Sequence, residues 1–362
     1  MRILCDAFWW DRGPGANRTV QRELIAAWAE AFPEDRLVLA LRLDAAADDL
    51  PAGVEAVRTR LWPHAAANRW ELPRLAARLG ADLALCHNYA PASGASLVFI
   101  HDVMFEDHPE WFSAAERRYF APMLPWARRA SAIAASTSTE AARIARLAPH
   151  LPPAVVTGLG VPAALAAPGT RPAAVPEGQR YAVVVGRLNV RKNLGTAMLA
   201  AARAARIGPA SPLYVVGGTA HSGIGAEIPE AARPLLEDGS IVLLGHVPDA
   251  ELAWLYANAA LVLALSLDEG FDMPSVEAAS MGPPLVASDI PVHREMVGGI
   301  AALVPPLDVA RIAEAIDATW DRRPPSAASR AIAERCTWEA AARSLRAAAA
   351  ELVSAPRPAL PR

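Results

Sequence analysis

The single lysine of this chain stands in a turn that is suited to binding phosphate. There is one lysine against 34 arginines, and it closes the run Gly186-Arg187-Leu188-Asn189-Val190-Arg191-Lys192-Asn193. A compact ammonium approaches a phosphate more closely than a broad guanidinium does. The run lies between an apolar stretch, 181–185, and a helix-like stretch, 194–198, so we predict a phosphate site with Arg187 and Lys192 as its cations. The alternative is one stray surface lysine.

Two glutamates with seven residues between them flank a second turn. They belong to the run Asp268-Glu269-Gly270-Phe271-Asp272-Met273-Pro274-Ser275-Val276-Glu277. Pro274 suits the first turn of a helix, whose backbone N–H groups at 271–275 would face a bound anion. Carboxylates repel phosphate, so Glu269 and Glu277 are expected to accept hydrogen bonds from sugar hydroxyls. The alternative is that Glu277 caps its own helix and Glu269 is a solvated loop acid.

Composition narrows the class of protein. The net charge of −3 gives no reason to expect a nucleic acid partner. The three cysteines lie far apart without a CxxC pair, which argues against a disulfide framework or a zinc site. No apolar run approaches the roughly 18 residues of a membrane-spanning helix, and Asp6 comes too early for a signal peptide. We therefore expect a globular, cytoplasmic protein.

Short apolar runs alternate with stretches of helical period, which predicts parallel sheets of the doubly wound kind. The predicted strands are 3–8, 37–41, 83–86, 97–100, 132–135, 182–185, 213–216, 241–244, 260–265 and 285–287. The predicted helices are 19–31, 68–79, 114–129, 139–147, 194–206, 249–258, 275–281 and 309–319.

A length of 362 residues favours two domains. Four prolines and little periodicity mark 158–178 as the linker. We therefore predict one Rossmann-like domain over 1–165, a second over 166–335, and a helix at 336–362 that returns to the first domain and ends in a loose tail. Ligands of such sheets bind at the carboxyl ends of strands.

The second turn resembles the Glu-x7-Glu motif of family 4 glycosyltransferases, retaining enzymes of the GT-B fold in which two Rossmann-like α/β domains face each other across a cleft. The run 186–193 is similar to that family's Gly-Arg-Leu…Lys-Asn phosphate segment. Gly245-His246-Val247-Pro248-Asp249…Leu252…Leu255-Tyr256 resembles the family's loop and helix that flank the nucleotide base. Pro291-Val292-His293-Arg294-Glu295-Met296-Val297-Gly298-Gly299 is similar to its segment after the next strand. These motifs span most of residues 181–305 in the family's order.

The resemblance implies that the second domain binds a nucleotide-diphosphate sugar. The matching positions are Gly186, Arg187, Lys192, His246, Val247, Glu269, Gly270, Phe271, Asp272, Met273, Pro274 and Glu277. Glu269 would hold hydroxyls of the transferred sugar, and Glu277 those of the ribose. Many family members have glycine where Asp272 stands, so a carboxylate beside the sugar implies a different hydrogen-bonding preference.

The first half matches more loosely. His101-Asp102 follows the strand 97–100, where the family commonly has a His-Asp pair whose histidine contacts the donor sugar. His101 thus joins Arg187, Lys192 and Glu269 as an expected catalytic residue, unless it is a histidine satisfied within the sheet edge. His87, Asn88 and Tyr89, together with Asp102, are expected on the acceptor side.

A glycine-rich loop follows the first strand. The run Gly13-Pro14-Gly15-Ala16-Asn17-Arg18 resembles the family's glycine-rich first loop, and a close approach of its backbone at Gly15 to the donor phosphate or to the acceptor would explain the glycines. Arg18 stands where a dinucleotide fingerprint has its third glycine, so a nicotinamide dehydrogenase is disfavoured.

The implied reaction moves a hexose to an acceptor hydroxyl with retention, without a metal or another cofactor. Pro109-Glu110-Trp111-Phe112-Ser113 is similar to the mannosyl- and rhamnosyl-transferring branch. GDP-mannose is therefore the first expected donor and dTDP-rhamnose the second, with a glycan, a lipid-linked saccharide or a metabolite as acceptor. The alternatives are a non-catalytic nucleotide-sugar-binding protein, an epimerase or a phosphorylase on the same architecture.

The segment 117–129 mixes arginines with apolar residues and two prolines. It could rest on an anionic membrane that carries a lipid-linked acceptor. Arginines also snorkel from ordinary protein surfaces, so peripheral membrane contact and a plain soluble surface both stay open.

Overall fold

A computed structural model describes residues 1–13, 15–218 and 223–354. Within them, parallel strands form two sheets. The strands are β1 (Arg2–Asp6), β2 (Arg36–Arg42), β3 (Glu55–Thr59), β4 (Leu83–His87), β5 (Ser96–Phe99), β6 (Ala132–Ala135), β7 (Ala154–Val156), β8 (Ala182–Val185), β9 (Leu213–Val216), β10 (Ile241–Gly245), β11 (Leu261–Ala264), β12 (Leu285–Ser288) and β13 (Ala302–Val304).

Both sheets have the doubly wound order that brings strand ends to one edge. The first runs β3-β2-β1-β4-β5-β6-β7 and the second β10-β9-β8-β11-β12-β13, and every pairing in them is parallel. The ten predicted strands are confirmed. The sequence missed β3, β7 and β13, which lie at the outer edges of the sheets.

Helices connect the strands. They are α1 (Gly15–Ala31), α2 (His64–Ala66), α3 (Leu72–Leu79), α4 (Met104–Asp107), α5 (Ala114–Phe120), α6 (Met123–Ala127), α7 (Ser138–Leu147), α8 (Leu194–Ala201), α9 (Arg233–Glu237), α10 (Asp249–Asn258), α11 (Met273–Met281), α12 (Pro291–Met296), α13 (Val309–Thr319), α14 (Ser326–Arg335) and α15 (Trp338–Ser354). The prediction of one helix over 114–129 was wrong, because the chain breaks between α5 and α6 beside Pro122. No helix of the described residues is long and apolar enough to cross a bilayer.

The chain divides into two compact units. The first unit comprises 1–103, 117–160 and 337–362, and the second comprises 104–116 and 161–336. Helix α15 belongs to the first unit and packs on α1. The segment 104–116 is part of the second unit although it follows β5 of the first sheet. Of the expected loose tail, 354–362, Ser354 ends α15 and the remaining residues, 355–362, lie outside the described residues.

Each unit buries its own core. In the first, Trp28 and Leu24 of α1 and Phe99 of β5 are fully buried. In the second, the core joins Val184 and Leu263 of the central strands to Met198 of α8 and Ile312 of α13. Apolar burial on both faces is what a parallel sheet requires.

Candidate functional site

The turn after β8 is fixed by its own polar side chains. Asn189 accepts a hydrogen bond from the Lys192 N–H (2.9 Å) and so caps a short 3-10 turn. Asn193 has left-handed backbone, φ 53°, and its side chain donates to the carbonyls of Leu265 (3.0 Å) and Pro306 (2.7 Å). The turn is thereby tied to the end of β11.

Gly217, which follows β9, allows the turn after β8 to lie close to the end of β9. Gly217 has φ +138°, and a Cβ on it would lie 2.0 Å from the carbonyl oxygen of Gly186. Only glycine permits that close approach of two strand ends. A Cβ on Gly186 would itself come within 3.2 Å of the Lys192 side chain.

Lys192 lies between two carboxylates of the second turn. Its Nζ is 2.7 Å from Glu269 Oε1 and 2.9 Å from Asp272 Oδ1. Arg191 pairs with the other oxygen of Glu269. Burial opposes the charged ammonium, but Asp272 and Glu269 raise the pKa of Lys192 above its ordinary value. The Asp272 contact is a hydrogen bond, whereas the Glu269 contact is an ion pair, so the three N–H donors of the ammonium are not all used by these two carboxylates.

Asp272 is buried, with 2% of its side chain exposed. Its second oxygen accepts a hydrogen bond from His293 Nε2 (3.0 Å). Burial opposes ionisation, yet Lys192 and His293 hold the pKa of this carboxyl well below its usual range. Both oxygens of Asp272 thus face cations of the same unit, and its expected place beside a sugar stays a prediction.

The N-terminus of α11 offers fewer amides than the sequence predicts. Pro274 has no N–H, and that of Ser275 is taken by the Asp272 carbonyl (3.1 Å). Among the described residues, the N–H groups of Phe271, Asp272 and Met273 have no hydrogen-bond partner. Three amides therefore remain for an anion, following Gly270 in this turn.

Glu277 lies inside α11 and does not cap its own helix through its side chain. It is buried and accepts a hydrogen bond from the Tyr256 hydroxyl (3.2 Å). Burial raises the pKa of Glu277 to about 7, against the opposing effect of that hydrogen bond. The carboxyl is thus poised between an acid and a base near neutral pH.

The other predicted donor positions of the second unit differ in their exposure to solvent. Arg187 is half-buried, and burial together with Arg191 lowers its pKa. Val247 is buried after β10, whereas His246 is exposed. Met273 and Pro274 are half-buried at the start of α11.

The segment 104–116 reaches the same edge of the second unit. His108 stacks on Trp111, with ring centroids 3.8 Å apart, and its Nε2 lies 3.6 Å from a carboxylate oxygen of Asp268. The Trp111 carbonyl accepts a hydrogen bond from Ile224 (2.8 Å). The motif 109–113 therefore lies beside the second turn, which its place in the first half of the sequence did not indicate.

In the first unit, the predicted histidine stands in a buried polar network. His101 Nε2 lies 3.1 Å from Nδ1 of His87, and the two rings are stacked. The His101 N–H donates to the side chain of Asn88 (3.1 Å). Burial, together with neighbouring His87, lowers the pKa of His101 well below its ordinary value.

Asp6 anchors this network at the end of β1. Its Oδ2 accepts hydrogen bonds from His64 (2.7 Å), the Asn68 side chain (2.8 Å) and the His87 backbone (3.0 Å). Burial lowers the pKa of His87 to about 4, although the charge of Asp6 opposes the shift.

The remaining first-half positions differ in exposure. Tyr89 is fully buried and its hydroxyl donates to the Tyr119 carbonyl (2.9 Å), which makes it a core contact, not an open acceptor surface. Asp102 is half-buried in the loop before α4. Gly15 begins α1, and Pro14 of the same loop lies outside the described residues.

Several contacting residues lie within the sequence motifs but had no role predicted from the sequence. Arg191, Asn193, Tyr256 and His293 all contact a predicted residue or fix its turn. Their signal was position, since each lies within one of the motifs. Within the described residues, no three His, Cys, Asp or Glu side chains are grouped as ligands of a metal ion.

Parts of the chain are similar in sequence to known proteins. Residues 179–322 match the family described as glycosyl transferases group 1. O-antigen chain mannosyltransferase B of Escherichia coli is 37% identical over 107 residues, which are 28% of this chain and 28% of that protein. D-inositol 3-phosphate glycosyltransferase of Segniliparus rotundus is 31% identical over 198 residues, 51% of this chain and 44% of that protein. Each match thus spans less than half of the relative's length.

The whole chain has a counterpart among solved structures. Sucrose-phosphate synthase from Thermosynechococcus elongatus superposes with a TM-score of 0.74 and 18% identity, over 98% of this chain and 100% of that one. At this identity the likeness establishes the fold alone. The protein therefore has the GT-B fold of two parallel-sheet α/β domains, and its residues 179–322 match the glycosyl transferases group 1 family.

Proposed function

We propose that this chain transfers a hexose from a nucleoside-diphosphate sugar to an acceptor hydroxyl, with retention at the anomeric carbon. One observation carries the proposal. The Lys192 ammonium, held by two carboxylates, lies in the same cluster as the turn that opens α11 with three available amides. Ammonium and amides together suit a diphosphate.

The chemical step needs charge stabilisation. As the bond from the anomeric carbon to the diphosphate oxygen breaks, negative charge grows on the diphosphate, and Lys192 and Arg187 stabilise it. The acceptor oxygen forms the new bond on the same face, and its proton passes to the leaving phosphate. Glu277 accepts a hydrogen bond from a ribose hydroxyl, and Glu269 and His101 orient the transferred sugar.

The proposed donor is based on the name of one relative and on one motif. The relative from Escherichia coli is a mannosyltransferase by name, and the segment 109–113 is part of the second unit. We propose GDP-mannose as the first candidate donor and dTDP-rhamnose as the second, with a glycan or lipid-linked saccharide as acceptor. Exposed arginines at 117, 118, 128 and 129 are the proposed contact with an anionic membrane surface on the cytoplasmic side.

A thermal-shift screen tests the donor. Purified protein is heated with GDP-mannose, dTDP-rhamnose and UDP-glucose in turn, and the sugar that binds the folded protein raises its Tm. We expect the largest rise with GDP-mannose. A rise with none of the three, and with none of their free diphosphates, contradicts the proposed function.

Donor hydrolysis separates an enzyme from a non-catalytic binding protein. We expect slow release of the nucleoside diphosphate without acceptor, and loss of that release in Lys192→Ala. Binding without any release favours the non-catalytic alternative. EDTA should leave the rate unchanged, because protein cations serve the diphosphate; abolition by EDTA, restored by added Mg²⁺, contradicts the metal-independent mechanism.

A further inference from the structure

The buried pair Asp272–His293 is the feature of the second unit that the proposed reaction does not use. Asp272 stands in left-handed backbone, φ 58° and ψ 70°, just before α11. An aspartate adopts this conformation at a cost. The contacts of its side chain must therefore offset that cost.

Hydrogen bonding fixes the charge of His293. The ring is fully buried, and its Nδ1 lies 2.9 Å from the Ser288 carbonyl oxygen, which can only accept. Its Nε2 lies 3.0 Å from a carboxylate oxygen of Asp272, which at this position also accepts. Both ring nitrogens must carry hydrogen, so His293 is an imidazolium.

The two cations that contact Asp272 follow the strands on either side of β11. Lys192 follows β8 and His293 follows β12, while the carboxylate follows β11, which lies between those two strands. Each oxygen has its own cation. The groups that face His293 from packed elements are Asp272 and, at longer range, Glu269.

Charge balance shows what the histidine adds. The cluster holds three cations, Lys192, Arg191 and His293, against the two carboxylates of Glu269 and Asp272. Without the imidazolium the cluster is neutral, and Asp272 draws on Lys192 alone. With it, the cluster keeps one positive charge in excess.

We propose that His293 is a positioning residue that neutralises Asp272 and thereby leaves the Lys192 charge available to a nucleoside diphosphate. This inference rests on the proposed function for its ligand. The pairing explains how an acid can occupy this position, because His293 supplies the cation that the buried Asp272 carboxylate needs. Asp272 orients Lys192 and does not contact the sugar.

A series of variants that remove one or both charges of the Asp272–His293 pair tests the proposal. His293→Gln keeps a donor near Nε2 and removes the charge, so we expect GDP and UDP to bind about tenfold more weakly by calorimetry. Asp272→Asn should bind nearly as wild type, because the introduced amide donates to a now neutral His293 and its oxygen still accepts from Lys192. The double variant Asp272→Asn/His293→Gln should regain most of the lost affinity.

The outcomes discriminate between charge and packing. Arg294→Gln removes an exposed cation of the same helix, which pairs with Asp289, and should change affinity less than about twofold. A double variant as weak as His293→Gln, or a folded Asp272→Asn that loses diphosphate affinity, overturns the proposal.

Nuclear magnetic resonance gives a readout that needs no ligand. In ¹⁵N-histidine protein, both His293 nitrogens should be protonated at pH 7, and Asp272→Asn should convert Nε2 to a bare nitrogen. If wild type binds no diphosphate but shows the imidazolium, the proposed function fails while the pairing stands. A neutral His293 in wild type refutes the pairing itself.

Discussion

The two units place histidines at the carboxyl edges of similar sheets, and the histidines differ in charge. In the first unit burial lowers the pKa of His87 to about 4, and His101, whose pKa is also lowered, stays neutral. In the second unit burial opposes protonation, yet the hydrogen bond and charge of Asp272 raise the pKa of His293. Burial is nearly complete for both His87 and His293, so burial cannot be the deciding factor.

What each ring nitrogen faces decides the charge. The carboxylate of Asp6 is already taken up by other donors and meets His87 only through the backbone N–H. The His87 ring faces another ring. The His293 ring lies directly between a carboxylate and a carbonyl. The first unit thus has a neutral hydrogen-bonding edge at His87 and His101, and the second has a charged edge at Lys192, Asp272 and His293.

Removing the central cation of the charged edge should have the largest effect. Lys192→Met leaves Glu269 and Asp272 with one cation each, Arg191 and His293, and we expect a loss of about 3 kcal/mol in the free energy of unfolding and a fall of about 10²–10³ in donor turnover. Urea denaturation and a diphosphate-release assay measure the two quantities.

Two controls frame that result. Lys192→Arg keeps the charge and changes only its shape, so stability should recover more than turnover. Arg311→Met removes an exposed cation of α13 and should cost less than about 1 kcal/mol. Equal losses in Lys192→Met and Arg311→Met would show that the charged edge is not a coupled cluster.

Glu277 should produce a smaller, pH-dependent effect. Its pKa is about 7 when folded against 4.5 as the ordinary value, so the folded state binds more protons between these pH values. Stability therefore falls as pH rises from about 4.5 to about 7, with an effect of order 2 kcal/mol. Thermal unfolding across this window should show the slope in wild type and a reduced slope in Glu277→Gln. The exposed Glu314→Gln should keep it, and an unchanged slope in Glu277→Gln contradicts the assignment.

Much of the fold follows from the sequence because apolar runs mark buried strands. The central strands β8, β9 and β11 are continuous apolar segments, and all are buried. The missed strand β3 is mostly exposed, with no apolar run to mark it, and β7 and β13 are three residues long. Edge strands are short and partly polar for physical reasons, so pattern alone passes over them.

The site was predictable as positions but not as pairings. Motifs at strand ends placed Lys192, Glu269 and Glu277 at one edge. Which carboxylate meets which cation depends on side-chain directions across three strands, and on the left-handed backbone of Asp272. That contact set is tertiary. The place of 104–116 in the second unit likewise depends on long-range packing.

The smallest expected effect belongs to the neutral edge and tests whether it is organised by hydrogen bonding. His87→Asn keeps an amide near the Nδ1 that meets His101, whereas His87→Leu, of similar size, removes it. His87→Leu should therefore be about 1 kcal/mol less stable than His87→Asn by urea denaturation. In His87→Leu the ¹⁵N signals of His101 should also lose their single tautomer, since the ring no longer has a fixed neighbour. Equal stability and an unchanged His101 tautomer in the two variants would mean that packing, not the hydrogen bond, holds this histidine in place.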